Sequence, residues 1–138
     1  MASFIDSGVW IAAFNSKDQY HKEGSKIIEA LTENGIKDAH ISDYIFNEVV
    51  IYIRKKIGCK ESIETANSLL NSYNLRIIYV VQSIFNASYH IFQRYDQLSF
   101  TDSTIVVIMK NLKIKTLFSF DSGFDGIKDI SRFIEINR

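Results

Sequence analysis

The sequence predicts an α/β fold in which helices pack against a mostly parallel β-sheet. Short apolar runs suited to strands alternate with longer segments whose apolar residues recur at helical spacing, an alternation typical of this class. The 138 residues contain no proline and six scattered glycines, and no stretch resembles a linker or an internal repeat. A chain of this length can bury a sizeable core, so we expect a single domain over residues 1–138.

The first part of the chain predicts two strands, each followed by helical sequence. The elements are, in order, a strand at Ser3–Ile5, helices at Ser7–Asn15 and Gln19–Asn34, a strand at Ala39–Ile41 and a helix at Ser42–Lys56. Asn34-Gly35 is suited to stop a helix. Ser42 is suited to cap the next helix, and the basic residues before Gly58 are suited to end it.

The rest of the chain continues the alternation. The predicted elements are a helix at Glu61–Tyr73, a strand at Leu75–Val81, helices at Ser83–Asp96 and Ser99–Leu112, a strand at Lys115–Phe120 and a short strand at Arg132–Ile136. Each helix has apolar residues three or four positions apart on one side. The run before Gln82 is the clearest strand, because it is almost entirely β-branched or aromatic.

Charge and cysteine content exclude several classes of function. Sixteen Lys and Arg balance sixteen Asp and Glu, so any contact with nucleic acid has to come from local patches or a bound metal. The candidate patches are Arg54-Lys55-Lys56 with Lys60, and Lys110 with Lys113 and Lys115; taken alone, each is better explained as a solvated helix end. The lone Cys59 excludes an intramolecular disulfide. With no signal peptide and no membrane-spanning run, we expect a cytoplasmic protein with no membrane partner.

Four carboxylates stand where a carboxylate is awkward, next to or inside apolar sequence. They are Asp6, Glu48, Asp102 and Asp121. Asp6 and Asp121 follow predicted strands, and ligands of open α/β sheets bind at the carboxyl ends of strands. Glu48 has Tyr44, Ile45, Ile51 and Tyr52 at helical neighbour positions, so we expect its side chain to point inward among core residues.

Each carboxylate also has a structural explanation. Asp6 is suited to cap the following helix, and Asp102 fits a capping box that begins at Ser99. Asp121 and Asp125 are suited to turns, and Glu48 could pair with an arginine from elsewhere in the fold. Together, however, the four carboxylates form an oxygen-rich set suited to Mg²⁺ or Mn²⁺, and a divalent cation would relieve their mutual repulsion.

These segments resemble the PIN-domain family of metal-dependent nucleases, which includes VapC-type toxins. The matching pieces are Phe4-Ile5-Asp6-Ser7, Asn47-Glu48, Leu98-Ser99-Phe100-Thr101-Asp102-Ser103, Leu117-Phe118-Ser119-Phe120-Asp121 and Phe124-Asp125. The resemblance implies a three-layer α/β/α sandwich with a short, mostly parallel central sheet. It also implies an acidic pocket of Asp6, Glu48, Asp102 and Asp121, with Ser7, Ser119 and Asp125 as auxiliary residues.

The function that the resemblance implies is hydrolysis of RNA with Mg²⁺ or Mn²⁺, leaving 5′-phosphate products. It further implies a homodimer and the possibility of an antitoxin partner. One alternative is a catalytically silent PIN-like module that binds RNA or protein. A phosphatase of the haloacid-dehalogenase type would use Asp6 as nucleophile, but it needs a second Asp two residues later, where this chain has Gly8.

Overall fold

In the described part of the chain, a five-stranded sheet with every neighbouring pair parallel forms the centre, and the strand order is β3-β2-β1-β4-β5. The computed structural model describes residues 1–136, so the last two positions of the predicted domain lie outside the described residues. The strands are β1 (Ala2–Ile5), β2 (Asp38–Ser42), β3 (Leu75–Ile78), β4 (Thr116–Phe118) and β5 (Ser131–Phe133). The predicted fold class, an α/β/α sandwich, is confirmed.

Within residues 1–136, six helices connect the strands in two groups. They are α1 (Ser7–Phe14), α2 (His21–Thr32), α3 (Asp43–Lys56), α4 (Cys59–Leu70), α5 (Gln82–Arg94) and α6 (Phe100–Leu112). Helix α1 packs against α2 and α3, α3 packs against α4, and α5 packs against α6. The chain moves outward from β1 to β3 and then crosses back to β4. Because such crossovers are right-handed, reversing direction carries α5 and α6 to the other face of the sheet.

Strand β1 lies at the centre of the sheet, and its neighbours β2 and β4 protect it on both sides. Phe4 and Ile5 are fully buried, as expected for a strand covered on both faces. The connections leaving β1 and β4 run in opposite directions, to β2 and β5. In open α/β sheets, a ligand crevice forms at the carboxyl ends of two strands that diverge in this way.

Several predicted boundaries were displaced by a few residues. Strand β3 ends at Ile78 instead of Val81, and beyond it the Val80 N–H donates a hydrogen bond to Asp43 Oδ1 at 2.9 Å. The last strand spans Ser131–Phe133 instead of Arg132–Ile136, and β4 ends at Phe118 instead of Phe120. Helix α2 begins at His21 and α4 at Cys59. The predicted stop after α2 is confirmed by Asn34, whose φ is 63°.

Within residues 1–136, no helix is both long enough and apolar enough to cross a bilayer.

Candidate active site at the carboxyl edge of the sheet

Asp6 lies where β1 ends, at the crevice between β1 and β4. Its backbone N–H donates to Phe118 O at 2.9 Å, which extends the pairing of β1 with β4 by one bond. Its Oδ1 caps α1 by accepting from the Ser7 N–H at 2.8 Å, and its Oδ2 accepts from the Ser119 hydroxyl at 2.8 Å. The predicted capping role is therefore confirmed, and the residue is only 7% exposed.

Burial makes the ionised form of Asp6 unfavourable. Desolvation, followed by repulsion from Asp102 and Glu48, raises the pKa of Asp6 from 3.8 to about 7, although the hydrogen bonds from Ser119 and Ser7 oppose the shift. A carboxyl group whose pKa is raised this far by burial is typical of a functional site, where a bound cation can neutralise the charge.

Ser119 joins the ends of three strands. It follows β4 and is fully buried. Its hydroxyl donates to Asp6 and accepts from the Asp121 N–H at 3.1 Å. Its backbone N–H donates to Phe133 O in β5 at 3.2 Å. This single side chain therefore fixes the position of Asp6 relative to the segment that carries Asp121.

Asp121 is exposed and forms a tight turn by accepting a hydrogen bond from the Gly123 N–H at 2.8 Å. The predicted turn role is confirmed. The remaining Oδ2 has no hydrogen-bond partner among residues 1–136, so one oxygen of this carboxylate is free for a ligand.

Asp125 is placed apart from the acidic residues, in a two-point ion pair with Arg132. Arg132 Nε and Nη2 donate to the two carboxylate oxygens at 2.8 and 2.9 Å, and the hydrogen bonds from Arg132 lower the pKa of Asp125. Arg132 Nη1 also donates to Ser119 O at 3.1 Å. The ion pair therefore helps to fix the position of the Ser119 backbone carbonyl. The sequence analysis did not single out Arg132, because only the pairing of β5 with β4 brings it there.

Asp102 combines a structural and a chemical role. The predicted capping box is confirmed: the Asp102 N–H donates to Ser99 Oγ at 3.1 Å, and Asp102 Oδ2 accepts from the Ser99 N–H at 3.0 Å. Burial raises the pKa of Asp102, and Asp121 adds to the increase by repulsion, while the Ser99 hydrogen bonds oppose it. The half-buried carboxylate thus caps α6 and also faces the other acids.

The inward orientation predicted for Glu48 was wrong. The buried side of α3 is formed by Ile45, Val49 and Ile53, and Glu48 is exposed. At 100° per residue, Glu48 lies roughly 100° around the helix from the centre of that side, which turns it toward the crevice. There, partial desolvation and repulsion from Asp102 raise its pKa, against a hydrogen bond from the Ser7 hydroxyl.

The structure therefore brings all four predicted carboxylates into one electrostatic cluster. Repulsion from Asp102 and Glu48 contributes to the raised pKa of Asp6, and repulsion from Asp121 contributes to the raised pKa of Asp102. Among residues 1–136, no three Asp, Glu, His or Cys side chains converge closely enough to enclose a metal ion. Mg²⁺ nevertheless binds commonly through one or two carboxylates plus waters and substrate phosphates. The donor set, all oxygen and mutually repulsive, fits such a cation.

A cleft of about 410 Å³ adjoins this cluster through Ser7 and Glu48. Its other lining residues are Ile11, Asn47, Ile51, Tyr52, Lys55 and Lys56. The cleft thus has two lysines in its lining together with one member of the acidic cluster, Glu48. One of the two predicted basic patches thus reaches the site, although Arg54 turns away and donates to Ser62 Oγ at 3.0 Å.

Fold and site together define an α/β protein with four interacting carboxylates at the point where the strand order reverses. The chain belongs to the PIN-domain family, whose family model matches residues 3–130. This result confirms the resemblance found in the sequence.

Individual relatives agree with the family assignment. A VapC ribonuclease from Archaeoglobus fulgidus is 27% identical over 128 residues, covering 90% of this chain and 80% of the relative. VapC20 of Mycobacterium tuberculosis, described as a toxin that cleaves the sarcin–ricin loop, has a similar structure with a TM-score of 0.81, at 19% identity over 97% of this chain and 98% of that one. A toxin–antitoxin complex from Klebsiella pneumoniae contains a chain with a TM-score of 0.73, at 22% identity over 97% and 99%. At such identities the structural likeness shows the fold.

Proposed function

We propose that this protein is a divalent-cation-dependent endoribonuclease that hydrolyses phosphodiester bonds of RNA at the acidic cluster. The observation that carries the proposal is the position of Asp6. It is buried at the crevice between diverging strands, oriented by Ser7 and Ser119, and raised in pKa to about 7 beside two further carboxylates. The relative from Archaeoglobus fulgidus, which bears the name VapC ribonuclease, supports RNA as the substrate.

Asp6, Asp102, Asp121 and Glu48 are the candidate ligands of a Mg²⁺ or Mn²⁺ ion; one or two of them would bind it directly and the others through water. Such an ion lowers the pKa of a bound water and neutralises charge on the scissile phosphate. The chain itself supplies orientation: Ser7 and Ser119 each occupy one oxygen of Asp6 and fix the plane of its carboxyl group. Glu48 or Asp121 would orient the attacking water or accept its proton.

The raised pKa of Asp6 makes cation binding dependent on pH. Near neutral pH a substantial fraction of Asp6 is protonated, and a carboxyl group must lose its proton before it can bind a cation. Cation affinity is therefore expected to increase as the pH rises through about 7.

We further propose that the chain is the toxin of a toxin–antitoxin pair. The similarity to a chain of the Klebsiella pneumoniae complex and to VapBC2 of Rickettsia felis, solved with a DNA fragment from the promoter, supports this role. A homodimer also remains a prediction; the exposed Phe85, Tyr89 and Phe92 along one side of α5 support it.

Cleavage of total RNA by the purified chain, with Mn²⁺ or Mg²⁺ and with EDTA, tests the proposal. We expect Asp6→Asn and Asp102→Asn to reduce the cleavage rate by roughly a hundredfold or more and to remain folded. Asp96→Asn is the matched control, because Asp96 is exposed and has no hydrogen bond or ion pair among the described residues. Wild-type rates in both site variants would refute the assignment. Tight RNA or protein binding without any cation-dependent cleavage would favour the silent module instead.

A further inference from the structure

A second cavity, of about 390 Å³, lies between α5, α6 and the segment at 127–130, and it shares no lining residue with the cleft beside Glu48. Its floor is aliphatic, with Ile91 from α5, Val106 and Met109 from α6, and Ile114 before β4. A volume in this range with an apolar floor is typical of ligand sites, and the site proposed above does not use it.

Five cationic side chains surround this cavity. They are Arg94, Lys110, Lys113, Lys115 and Lys128, and Asp129 is the one carboxylate in the lining. All five cations are exposed, and within residues 1–136 none of their side chains forms a hydrogen bond or an ion pair. In a chain with a formal charge of zero, this is a local concentration of positive charge.

Helix ends account for only part of this cluster. Arg94 and Lys110 lie in the last turns of α5 and α6, and Lys113 follows α6, where cations suit the helix dipole. Lys115 and Lys128 belong to no helix. Backbone pairing of Ser131 N–H with Lys115 O, at 2.8 Å, brings the segment that carries Lys128 beside Lys115. Cations from four parts of the chain therefore converge on one apolar cavity.

The cavity lies on the same stripe of α6 as Asp102. Val106, Met109 and Lys113 follow Asp102 at intervals of three or four residues, so the four residues share one side of the helix. At 1.5 Å per residue, Val106 lies roughly 6 Å from Asp102 along the helix axis, and Lys113 lies roughly 16 Å from it. Residues 103–109 of α6 are buried, so Asp102 and the cations of the cavity lie on separate surfaces near opposite ends of this helix.

We infer that this cavity is an RNA-binding site separate from the cleavage site, an inference that rests on the proposed function. RNA phosphates bind the five cations, and one unstacked base enters the aliphatic cavity, as bases of single-stranded RNA commonly do in protein pockets. The acidic cluster repels phosphates, so affinity for RNA has to come from cations elsewhere on this neutral chain. Five cations against one carboxylate in the lining favour a polyanion, and under the proposed function that polyanion is RNA.

The test measures binding of a labelled oligouridylate of about 12 nucleotides to the full chain in EDTA, which prevents hydrolysis. We compare wild type with Lys110→Ala/Lys128→Ala. The matched control is Lys22→Ala/Lys26→Ala, which removes two exposed lysines from α2. Loss of two phosphate contacts should reduce the slope of log affinity against log salt by about 1.4, at about 0.7 per contact for single strands. The ratio of wild-type affinity to variant affinity should then fall roughly sevenfold between about 50 and 200 mM salt.

The outcomes separate this inference from the proposed function. Equal slopes and affinities for wild type and both double variants would overturn it, as would oligoglutamate binding that matches RNA and depends on the same lysines. An oligomer without bases should bind wild type more weakly than oligouridylate; equal binding would overturn the place of the base in the cavity. RNA binding that depends on Lys110 and Lys128, in a chain that cleaves no RNA, would support the binding site and reject the hydrolysis.

Discussion

Replacing Asp6 with Asn should stabilise the cation-free protein at neutral and alkaline pH. The pKa of Asp6 is raised from 3.8 to about 7, mainly because burial disfavours the charge. Between these two values the folded chain keeps a proton that the unfolded chain has released, so the free energy of unfolding falls as the pH rises through this window. Above about pH 7 the full penalty is present, and below about pH 4 it is absent.

The size of the effect follows from the shift. The pKa of Asp6 differs by about 3 between the folded and the unfolded chain. Because a difference of one in pKa corresponds to about 1.4 kcal/mol, the penalty on the free energy of unfolding is about 4 kcal/mol. Asn is a good N-cap and can still accept from the Ser7 N–H. However, the Ser119 hydroxyl then loses the carboxylate that it donates to, at a cost of about 1 kcal/mol. The net gain is about 3 kcal/mol above pH 7, or roughly 10 °C in Tm for a domain of this size.

Thermal unfolding in EDTA at about pH 4 and about pH 8 measures this difference. We expect Asp6→Asn to unfold at a higher temperature than wild type only at the higher pH, and Asp96→Asn to follow wild type at both. Added Mn²⁺ should reverse the order at high pH, because a cation that binds only the folded state stabilises it and the variant binds it less well. An Asp6→Asn protein less stable than wild type at about pH 8 without cation would refute the burial argument.

Two further predictions concern the support of Asp6. Ser119→Ala should lower the free energy of unfolding by about 1–3 kcal/mol, because the buried Asp6 carboxylate and the partly buried Asp121 N–H each lose a partner; denaturant titration measures this. Since the Ser119 hydrogen bond lowers the pKa of Asp6, the pH dependence of cleavage should also move to higher pH, and an unchanged profile would count against it. Arg132→Ala should lower Tm more than Asp125→Ala, because only Arg132 reaches the Ser119 carbonyl oxygen; equal losses would show that the ion pair alone matters.

Local sequence patterns were sufficient for the alternation of strands and helices and for the helix caps. Ser42 and Ser99 cap their helices as predicted, because a cap depends on residues within one turn. The placement of Asp6 and Asp121 at strand ends was also accessible, since the carboxyl ends of parallel strands meet at one edge of the sheet. Strand limits were less accurate, because β3 and β5 end where pairing with a neighbour ends, and that is not written in the strand itself.

Two residues show what local patterns cannot supply. Glu48 has apolar neighbours on more than one side of α3. Only the packing of α3 against α1 and α4 decides which side of the helix is buried. Arg132 acquires its role through the register of β5 on β4, where Leu117 pairs with Arg132. The cavity beside Lys110 likewise could not be predicted from local patterns, because Arg94 and Lys128 lie far from Lys110 in sequence.

The central position of β1 has a consequence for synthesis of the chain. Strand β1 is translated first, yet it pairs with β4, which begins at Thr116. Until the ribosome has released β4 and the segment through Asp121, Asp6 lacks Ser119 and the acidic cluster does not exist. A nascent chain therefore has no assembled acidic cluster, and the order of synthesis keeps this site incomplete until the segment through Asp121 has emerged from the ribosome.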